Sequence, residues 1–143
     1  MAIKELSHSL PMMLYKALDT IMPKFRIIFK EFGITEPQAR ILRILWQYKT
    51  IALNEVSALS LITPPSLVGV VDRMELNGLV ERSNSSTDRR KTILKLTEKG
   101  EKLESKILPK VERVYEKIES SLTKKALDKT LHLLNKISLI DKV

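Results

Sequence analysis

A change of hydrophobic period between residues 54 and 97 is the feature that most restricts the fold. Up to Gly78 the apolar residues recur at steps of three and four, which is typical of helices with one buried face. From Leu79 the pattern becomes strand-like on both sides of an apolar-free segment, residues 83–91, as expected of a hairpin with a polar tip. Two short helices followed by a hairpin predict a helix-turn-helix with an attached wing.

Capping residues mark the two helices of this pattern. Asn54 is expected to cap a short third helix that holds Val56 and Leu59. Thr63 and Pro64 predict the start of a fourth helix, because a hydroxyl cap and a first-turn proline are both common there. The fourth helix is expected to bury one apolar face, which consists of Leu67, Val70, Val71 and Met74.

Longer helical patterns lie on either side. A first helix carries apolar residues at steps of four and three and ends at Gly33, and a capping box at residues 35–38 begins a second helix that runs to about Tyr48. Thr97 opens a long fifth helix, and Thr123 caps the last one. Their apolar residues exceed what one lobe covers from one side, which predicts a homodimer. The most prominent of these residues are Leu131, Leu133, Leu134, Ile137 and Ile140.

The predicted fold class is mainly α with a small β-hairpin wing. Residues 35–97 are expected to form a winged helix-turn-helix lobe, and residues 1–34 and 98–143 a helical dimerisation region. A chain of 143 residues with 43% hydrophobic content is large enough for a real core.

The chain is basic, with 25 Lys and Arg against 17 Asp and Glu and a net charge of +8. This balance favours a polyanionic partner, although a surplus of solvated lysines explains the charge alone equally well. The absence of cysteine excludes disulfides and zinc-thiolate sites. No apolar run reaches the ~18 residues of a membrane span, and no signal-peptide pattern is present, so we expect a cytoplasmic protein that does not bind membranes.

The helix-turn-helix followed by a basic hairpin favours double-stranded DNA as the partner. The major groove admits one α-helix, and its base edges carry a donor and acceptor code. The outward side of the fourth helix offers hydroxyls, small residues and one arginine to such a groove. The candidate DNA contacts on this helix are Thr63, Pro65, Ser66, Val68, Gly69 and Arg73.

The hairpin supplies a second set of candidates: Asp88, Arg89, Arg90 and Lys91. Five basic residues and one acid lie between Arg82 and Lys95, and arginine suits the negative potential of a narrow minor groove. Asp88 is expected to brace the tip through a charge-assisted hydrogen bond. A solvated turn is the alternative interpretation of the same residues, and a winged-helix module that binds protein is the alternative function.

Several motifs resemble the MarR/SlyA family of winged helix-turn-helix regulators. The segments 65–68, 72–75 and 77–82 carry this resemblance, together with Asp88-Arg89-Arg90 and Leu-Thr-Glu-Lys-Gly at 96–100. The resemblance extends from about residue 10 to residue 140. It implies a homodimer joined through its terminal helices that acts as a ligand-responsive transcriptional repressor or activator. Of the two, we predict a repressor that binds a palindromic operator. It also implies that Asp88 and Arg90 organise the wing and that an arginine at the tip enters the minor groove.

One departure concerns Gly69, where many members of the family carry a basic residue. Residues 25–26, 34–36 and 40–45, together with the glycine at position 69, resemble the branch that regulates homoprotocatechuate degradation operons, which implies a phenolic or aromatic carboxylate as effector. Candidate effector contacts are Arg26, Arg43 and Trp46, with Arg40 nearby; ion pairing for the arginines and a core position for the tryptophan are the alternatives.

No residue pattern indicates catalysis. His8 and His132 lie far apart in the sequence, and neither a nucleophile-base spacing nor a set of metal ligands accompanies them. We therefore expect neither an enzyme nor a protein with a metal or other cofactor.

Overall fold

The computed structural model describes residues 4–142. Six α-helices and three β-strands occur in this range, with a short 3₁₀ turn at Leu6–His8 and another at Ile140–Lys142. The elements are α1 (Leu10–Glu31), α2 (Glu36–Tyr48), β1 (Thr50–Ala52), α3 (Leu53–Ser60), α4 (Pro64–Leu76), β2 (Val80–Asn84), β3 (Thr92–Leu96), α5 (Glu98–Leu122) and α6 (Lys124–Ile137). The predicted class, mainly α with a small β-hairpin wing, is confirmed.

Local capping residues explain most helix boundaries. Gly33 follows α1 with a φ of +67°, the left-handed conformation that glycine adopts without strain. Thr35 and Gln38 form the predicted capping box, in which each side chain accepts a backbone amide of the other. The Thr123 hydroxyl accepts the amide of Ala126 at 3.1 Å, which closes the start of α6. These boundaries follow from residues adjacent in the chain.

The predicted cap of α3 is wrong. The helix begins at Leu53 with Ala52 in the cap position, so Asn54 lies inside the first turn. Ala52 is also the last residue of β1 and pairs with Ile93, and the chain therefore passes directly from strand to helix. Val56 and Leu59 both lie in α3, as predicted; Val56 is fully buried, whereas Leu59 is 52% exposed.

The wing belongs to a three-stranded antiparallel sheet with the order β1-β3-β2. The hairpin of β2 and β3 pairs Val80 with Leu96 at its base and Asn84 with Thr92 at its far end. Strand β2 therefore continues to Asn84, two residues into the segment 83–91 that is predicted to form the hairpin tip. The short segment at Thr50–Ala52 adds a third strand to the other side of β3.

The core of the lobe surrounds α2. Ile41, Leu42 and Leu45 are completely buried, and α2 packs against α3, α4 and β3. This central position agrees with the wide apolar face of α2. The packing partners also contribute fully or almost fully buried side chains, which are Val56, Leu67, Val71, Met74 and Leu94.

The chain divides after Ile107 into two compact units. The second unit contains the carboxyl-terminal part of α5 and all of α6, and it buries Val111, Val114 and Leu127. Helix α5 continues through Pro109 without ending there. No helix within residues 4–142 combines the length and apolar content that a membrane span requires.

Candidate nucleic-acid interface

Helix α4 separates a buried face from an outward one. Leu67, Val70, Val71 and Met74 are buried, as predicted. The residues between them in the helical cycle point away from the core and have small or polar side chains. We call these residues the outer face of α4: Pro65, Ser66, Val68, Gly69 and Arg73.

The amino-terminal end of α4 carries two linked hydroxyls. Thr63 is in the cap position, but its hydroxyl donates to the Oγ of Ser66 at 3.2 Å and makes no capping bond to the backbone. The predicted hydroxyl cap is therefore wrong, because Ser66 in the first turn competes for the same group. Both side chains are exposed, so this pair can be reached by a ligand that approaches the start of the helix.

Gly69 leaves a gap in the outer face of α4 that Arg73 overhangs. A Cβ added at Gly69 would have Nη1 of Arg73 as its nearest neighbour, at 4.0 Å. Side chains on a helix lean toward its amino terminus, which accounts for the position of the guanidinium one turn before its own Cα. The outer face therefore presents backbone and a cation where a bulkier side chain would stand.

Residues 85–91, the wing loop, connect β2 to β3 and fold on themselves. The amide of Ser85 donates to the carbonyl of Lys91 at 2.9 Å, and the Ser85 hydroxyl accepts the amides of Thr87 and Asp88 at 3.3 and 3.4 Å. The amide of Lys91 donates to the carbonyl of Asp88 at 3.0 Å. The loop is thus ordered by its own backbone and hydroxyl groups.

Asp88 holds the turn that carries the arginines. Its Oδ1 accepts the backbone amide of Arg90 at 3.0 Å, so the predicted charge-assisted brace is present and acts on the backbone. The side chains of Arg89, Arg90 and Lys91 are exposed. The guanidinium of Arg90 is therefore available for a partner while its peptide group is fixed.

A groove of about 580 Å³ brings the wing and α4 to one surface. Arg90 and Lys91 line it on the wing side, and Pro64 and Val68 line it on the side of α4. Helix α3 contributes Ser57 and other residues to the lining. Two of the predicted hairpin cations thus share a single concave surface with Pro64 at the start of α4 and with Val68 of its outer face.

Arg82, the first of the five basic residues of the hairpin, does not face this groove. Its Nη2 forms an ion pair with Oδ1 of Asp72, and its Nε lies 3.2 Å from Oε2 of Glu75. The same Glu75 oxygen accepts the backbone amide of Arg82 at 3.0 Å. Hydrogen bonds to Asp72 and Glu75 raise the pKa of the Arg82 guanidinium above its ordinary value. Arg82 is therefore committed to α4 and is not one of the cations that the hairpin offers to a partner.

Within the described part of the chain, most of the candidate effector residues on α1 and α2 already have hydrogen-bond or ion-pair partners, and Arg43 is the exception. Arg26 pairs with Glu36 at 3.2 Å, and Nη1 of Arg40 donates to the carbonyl of Ser60 at 2.8 Å. The indole Nε1 of Trp46 donates to the carbonyl of Gly100 at 3.0 Å, and its ring is half-buried. Arg43 is exposed and forms no ion pair within residues 4–142.

The connection from Arg82 to Asp72 and Glu75 did not emerge from the sequence. The signal was present, since two acids at i and i+3 share one face of a helix and an arginine follows in the next strand. The inward or outward direction of that arginine depends on strand register, which is fixed only when Arg82 pairs with Leu94.

Known proteins share both the sequence and the fold. The sequence profile of the MarR family matches residues 34–92. The homoprotocatechuate degradative operon repressor of Escherichia coli is 35% identical over 126 residues, which cover 88% of this chain and 85% of that repressor. The HTH-type transcriptional regulator FarR of Neisseria gonorrhoeae is 35% identical over 128 residues, covering 90% and 88% of the two chains.

Among solved structures, NadR in complex with 4-hydroxyphenylacetate matches with a TM-score of 0.83 and 35% sequence identity. The match covers 92% of this chain and 94% of NadR. The two sequence relatives are named as a repressor and a transcriptional regulator, and the family profile covers α4 and most of the wing. The chain belongs to the MarR family of transcriptional regulators, which the motifs of its wing and fourth helix predicted.

Proposed function

We propose that this protein is a homodimeric repressor that binds a palindromic operator and is released from it by a small aromatic acid. The groove lined jointly by α4 and the wing is the observation that carries the DNA-binding part. This surface combines a helix that fits the major groove of DNA with cations that are attracted to phosphates and to the negative potential of the minor groove.

The two parts of this surface have different roles in DNA binding. The outer face of α4 enters the major groove, where Thr63 and Ser66 offer hydroxyls to base edges or phosphates. Val68 offers an apolar contact to a thymine methyl group, Pro65 and Gly69 allow close approach, and Arg73 reaches base or backbone. The wing loop enters the adjacent minor groove with Arg90, while Arg89 and Lys91 contact the backbone and Asp88 holds the turn.

Dimerisation is supported by exposed apolar rows on the two terminal helices. On α1, Leu10, Leu14 and Leu18 recur every four residues and are 52%, 38% and 56% exposed. On α6, Leu131 and Leu134 are 51% and 38% exposed. Such rows are costly in water, and a second copy of the chain would cover them. Residues 1–34 and 98–143 therefore form the proposed dimerisation region, and residues 35–97 the DNA-binding lobe.

The effector part rests on the chemistry of the relatives. NadR has been crystallised with 4-hydroxyphenylacetate. The Escherichia coli relative is named as the repressor of an operon that degrades homoprotocatechuate, which is a phenolic acid. Arg43 is the candidate whose guanidinium forms no ion pair among the described residues, and Trp46 lies one turn further along α2. An aromatic acid would place its carboxylate on Arg43 and its ring near the indole, whereas Arg26 would have to give up Glu36.

Release requires that the ligand prefer a dimer with the wrong spacing of its two α4 helices. Matching half-sites lie about 34 Å apart, one turn of the duplex. A 100-fold preference of the ligand for the misaligned form shifts the equilibrium by roughly 2.7 kcal/mol, and equal affinity for both forms shifts nothing.

The test has two arms. A duplex is first selected by the protein from a randomised library, and its binding is measured by fluorescence anisotropy over a range of salt concentrations. A selected duplex whose affinity falls steeply with salt supports DNA binding, whereas failure to select any duplex favours a protein-binding module. Phenolic and phenylacetic acids are then titrated against the complex, and release by none of them at millimolar concentration rules out the proposed effector class.

A further inference from the structure

We propose that Arg82 is a positioning residue, which holds the wing at the angle to α4 that lets both elements engage DNA together. This inference rests on the proposed function, because it concerns how the two parts of the DNA-binding surface are held in register. It assigns to Arg82 no contact with DNA.

The connection consists of three polar contacts between β2 and a single face of α4. The Arg82 guanidinium contacts Asp72 through Nη2 and Glu75 through Nε, and the Arg82 amide donates to Glu75. Asp72 and Glu75 are three residues apart on the helix and therefore lie on one side of it. Because the backbone amide takes part as well, the strand itself is attached to α4.

Arg82 lies between the buried base of the hairpin and the wing loop, so its contacts with α4 limit how far the hairpin can rotate about that base. At the base, Val80 and Leu96 pair with each other and are both buried, so the core holds that end. Arg82 points to the same side of the strand as Val80, since alternate residues share a face. Beyond it only the pairs up to Asn84 and Thr92 remain before the wing loop, at about 3.4 Å per residue.

Arg82 supplies all ion pairs between the hairpin and α4 within residues 4–142. A hairpin held only at its base would rotate about that base, and the wing loop at the far end would move furthest. The minor-groove contact of Arg90 would then have to offset the entropy of fixing the hairpin at each binding event. With Arg82 in place the hairpin is already fixed when the protein folds.

Arg82 also neutralises the negative charge of two carboxylates on α4, the helix that must approach the phosphates of DNA. Asp72 and Glu75 have side chains that are 52% and 41% exposed, so without the arginine both would repel DNA. Removal of Arg82 therefore has two consequences, release of the hairpin and exposure of negative charge. Neutralising both acids in the same chain separates these two consequences, because it removes the exposed negative charge and leaves the hairpin released.

The experiment compares Arg82→Ala, Arg82→Lys and the triple variant Arg82→Ala with Asp72→Asn and Glu75→Gln, each as the full dimeric chain. Affinity for the duplex selected by the wild type is measured over a series of salt concentrations. Arg90→Ala serves as the matched control, since it removes an arginine of the same hairpin that is free to contact DNA.

We expect Arg82→Ala to lower affinity about tenfold, because the variant loses both guanidinium contacts and keeps only the backbone amide, whose acceptor Glu75 no longer has its ion pair. Its salt slope should equal that of the wild type, because the number of neutralised phosphates stays the same. Arg90→Ala, if that arginine binds phosphates as well as bases, lowers the slope by about 0.9 for each phosphate that is no longer neutralised. Arg82→Lys should recover part of the affinity, since lysine keeps the charge but not the paired geometry.

Hydrogen exchange provides a readout that needs no DNA. In the free protein, Arg82→Ala should speed exchange at the amides of Ser83 and Ser85, and Arg90→Ala should not. Thermal melting establishes that each variant is folded. If Arg82→Ala does not fold, Arg82→Lys replaces it in the binding assay and in the hydrogen-exchange assay.

Three results would overturn the proposal: a reduced salt slope in Arg82→Ala, wild-type affinity in the triple variant, or unchanged exchange in the hairpin. The first would make Arg82 a DNA contact, and the second would reduce its role to masking charge. If the wild type selected no duplex, the proposed function would fail, whereas hydrogen exchange would still decide whether Arg82 fixes the wing.

Discussion

The carbonyl oxygen of Leu79 occupies the position that a Cβ on Gly100 would need, so the first turn of α5 touches the backbone that leads into β2. Thr97, just before α5, also contacts this backbone. The Thr97 amide donates to the carbonyl of Leu79 at 3.1 Å, and the Thr97 hydroxyl donates to that of Gly78 at 2.6 Å. The Leu-Thr-Glu-Lys-Gly segment thus joins the start of α5 to the base of the wing.

Gly100→Ala is expected to destabilise the protein by about 1–3 kcal/mol. The added methyl group would meet Leu79 and would lie 2.6 Å from Cδ1 of Leu96, so backbone would have to move. Urea unfolding of the variant and the wild type at equal protein concentration measures the effect. Wild-type stability would contradict the close contact between α5 and Leu79.

Gly69→Ala should have the opposite effect on stability. A methyl group added there would have open space around it apart from Arg73 at 4.0 Å, and alanine favours a helix by about 0.5–1 kcal/mol over glycine. We expect the same variant to bind the selected duplex more weakly, because the methyl group fills the gap in the outer face of α4. Higher stability with unchanged affinity would remove Gly69 from the interface.

Arg90→Ala should weaken duplex binding by about 1–3 kcal/mol per half-site with little change in folding. The side chain is exposed, and its backbone bond to Asp88 survives the substitution. Fluorescence anisotropy measures the affinity, and Arg89→Ala is the matched control. If Arg89→Ala proved harmful and Arg90→Ala neutral, the arginine in the minor groove would be Arg89.

Asp88→Ala and Asp88→Asn should differ. Alanine removes the acceptor of the Arg90 amide, whereas asparagine keeps an oxygen in that place, so only the alanine variant should release the turn. We expect Asp88→Ala to bind DNA more weakly in the same anisotropy assay, although it removes a negative charge near phosphates. Tighter binding by Asp88→Ala would mean that charge outweighs the ordering of the wing loop.

The dimer is tested by charge on the exposed row of α6. Leu131→Glu combined with Leu134→Glu should shift the protein toward monomer, because burial of each leucine contributes about 1.5–3 kcal/mol. Light scattering at micromolar concentration measures the mass. Leu76→Glu is the control, since Leu76 is 86% exposed but lies on α4. A folded wild-type monomer under these conditions would contradict the dimer.

Features determined by neighbouring residues could be predicted from the sequence. The Thr35 capping box, the glycines after α1 and α4, and the bond from Asp88 to Arg90 each involve residues within a few positions of one another. The buried face of α4 followed from its helical period.

Features that depend on distant pairing could not be predicted. The cap of α3 is Ala52 because that residue is held in a strand by Ile93, far along the chain. The partners of Arg82 depend on strand register and on how α4 lies beside β2. The bond of Trp46 to Gly100 joins residues on α2 and α5, and no local pattern marks it.

The self-contained hydrogen bonds of the wing loop bear on how fast the protein finds its site. Ser85 and Asp88 already hold the turn in the free chain, so the basic tip needs no folding step when it meets the duplex. Encounter is then governed by long-range attraction between the basic surface and the phosphates, and the association rate should rise steeply as ionic strength falls. Discrimination between operators would accordingly appear in residence times.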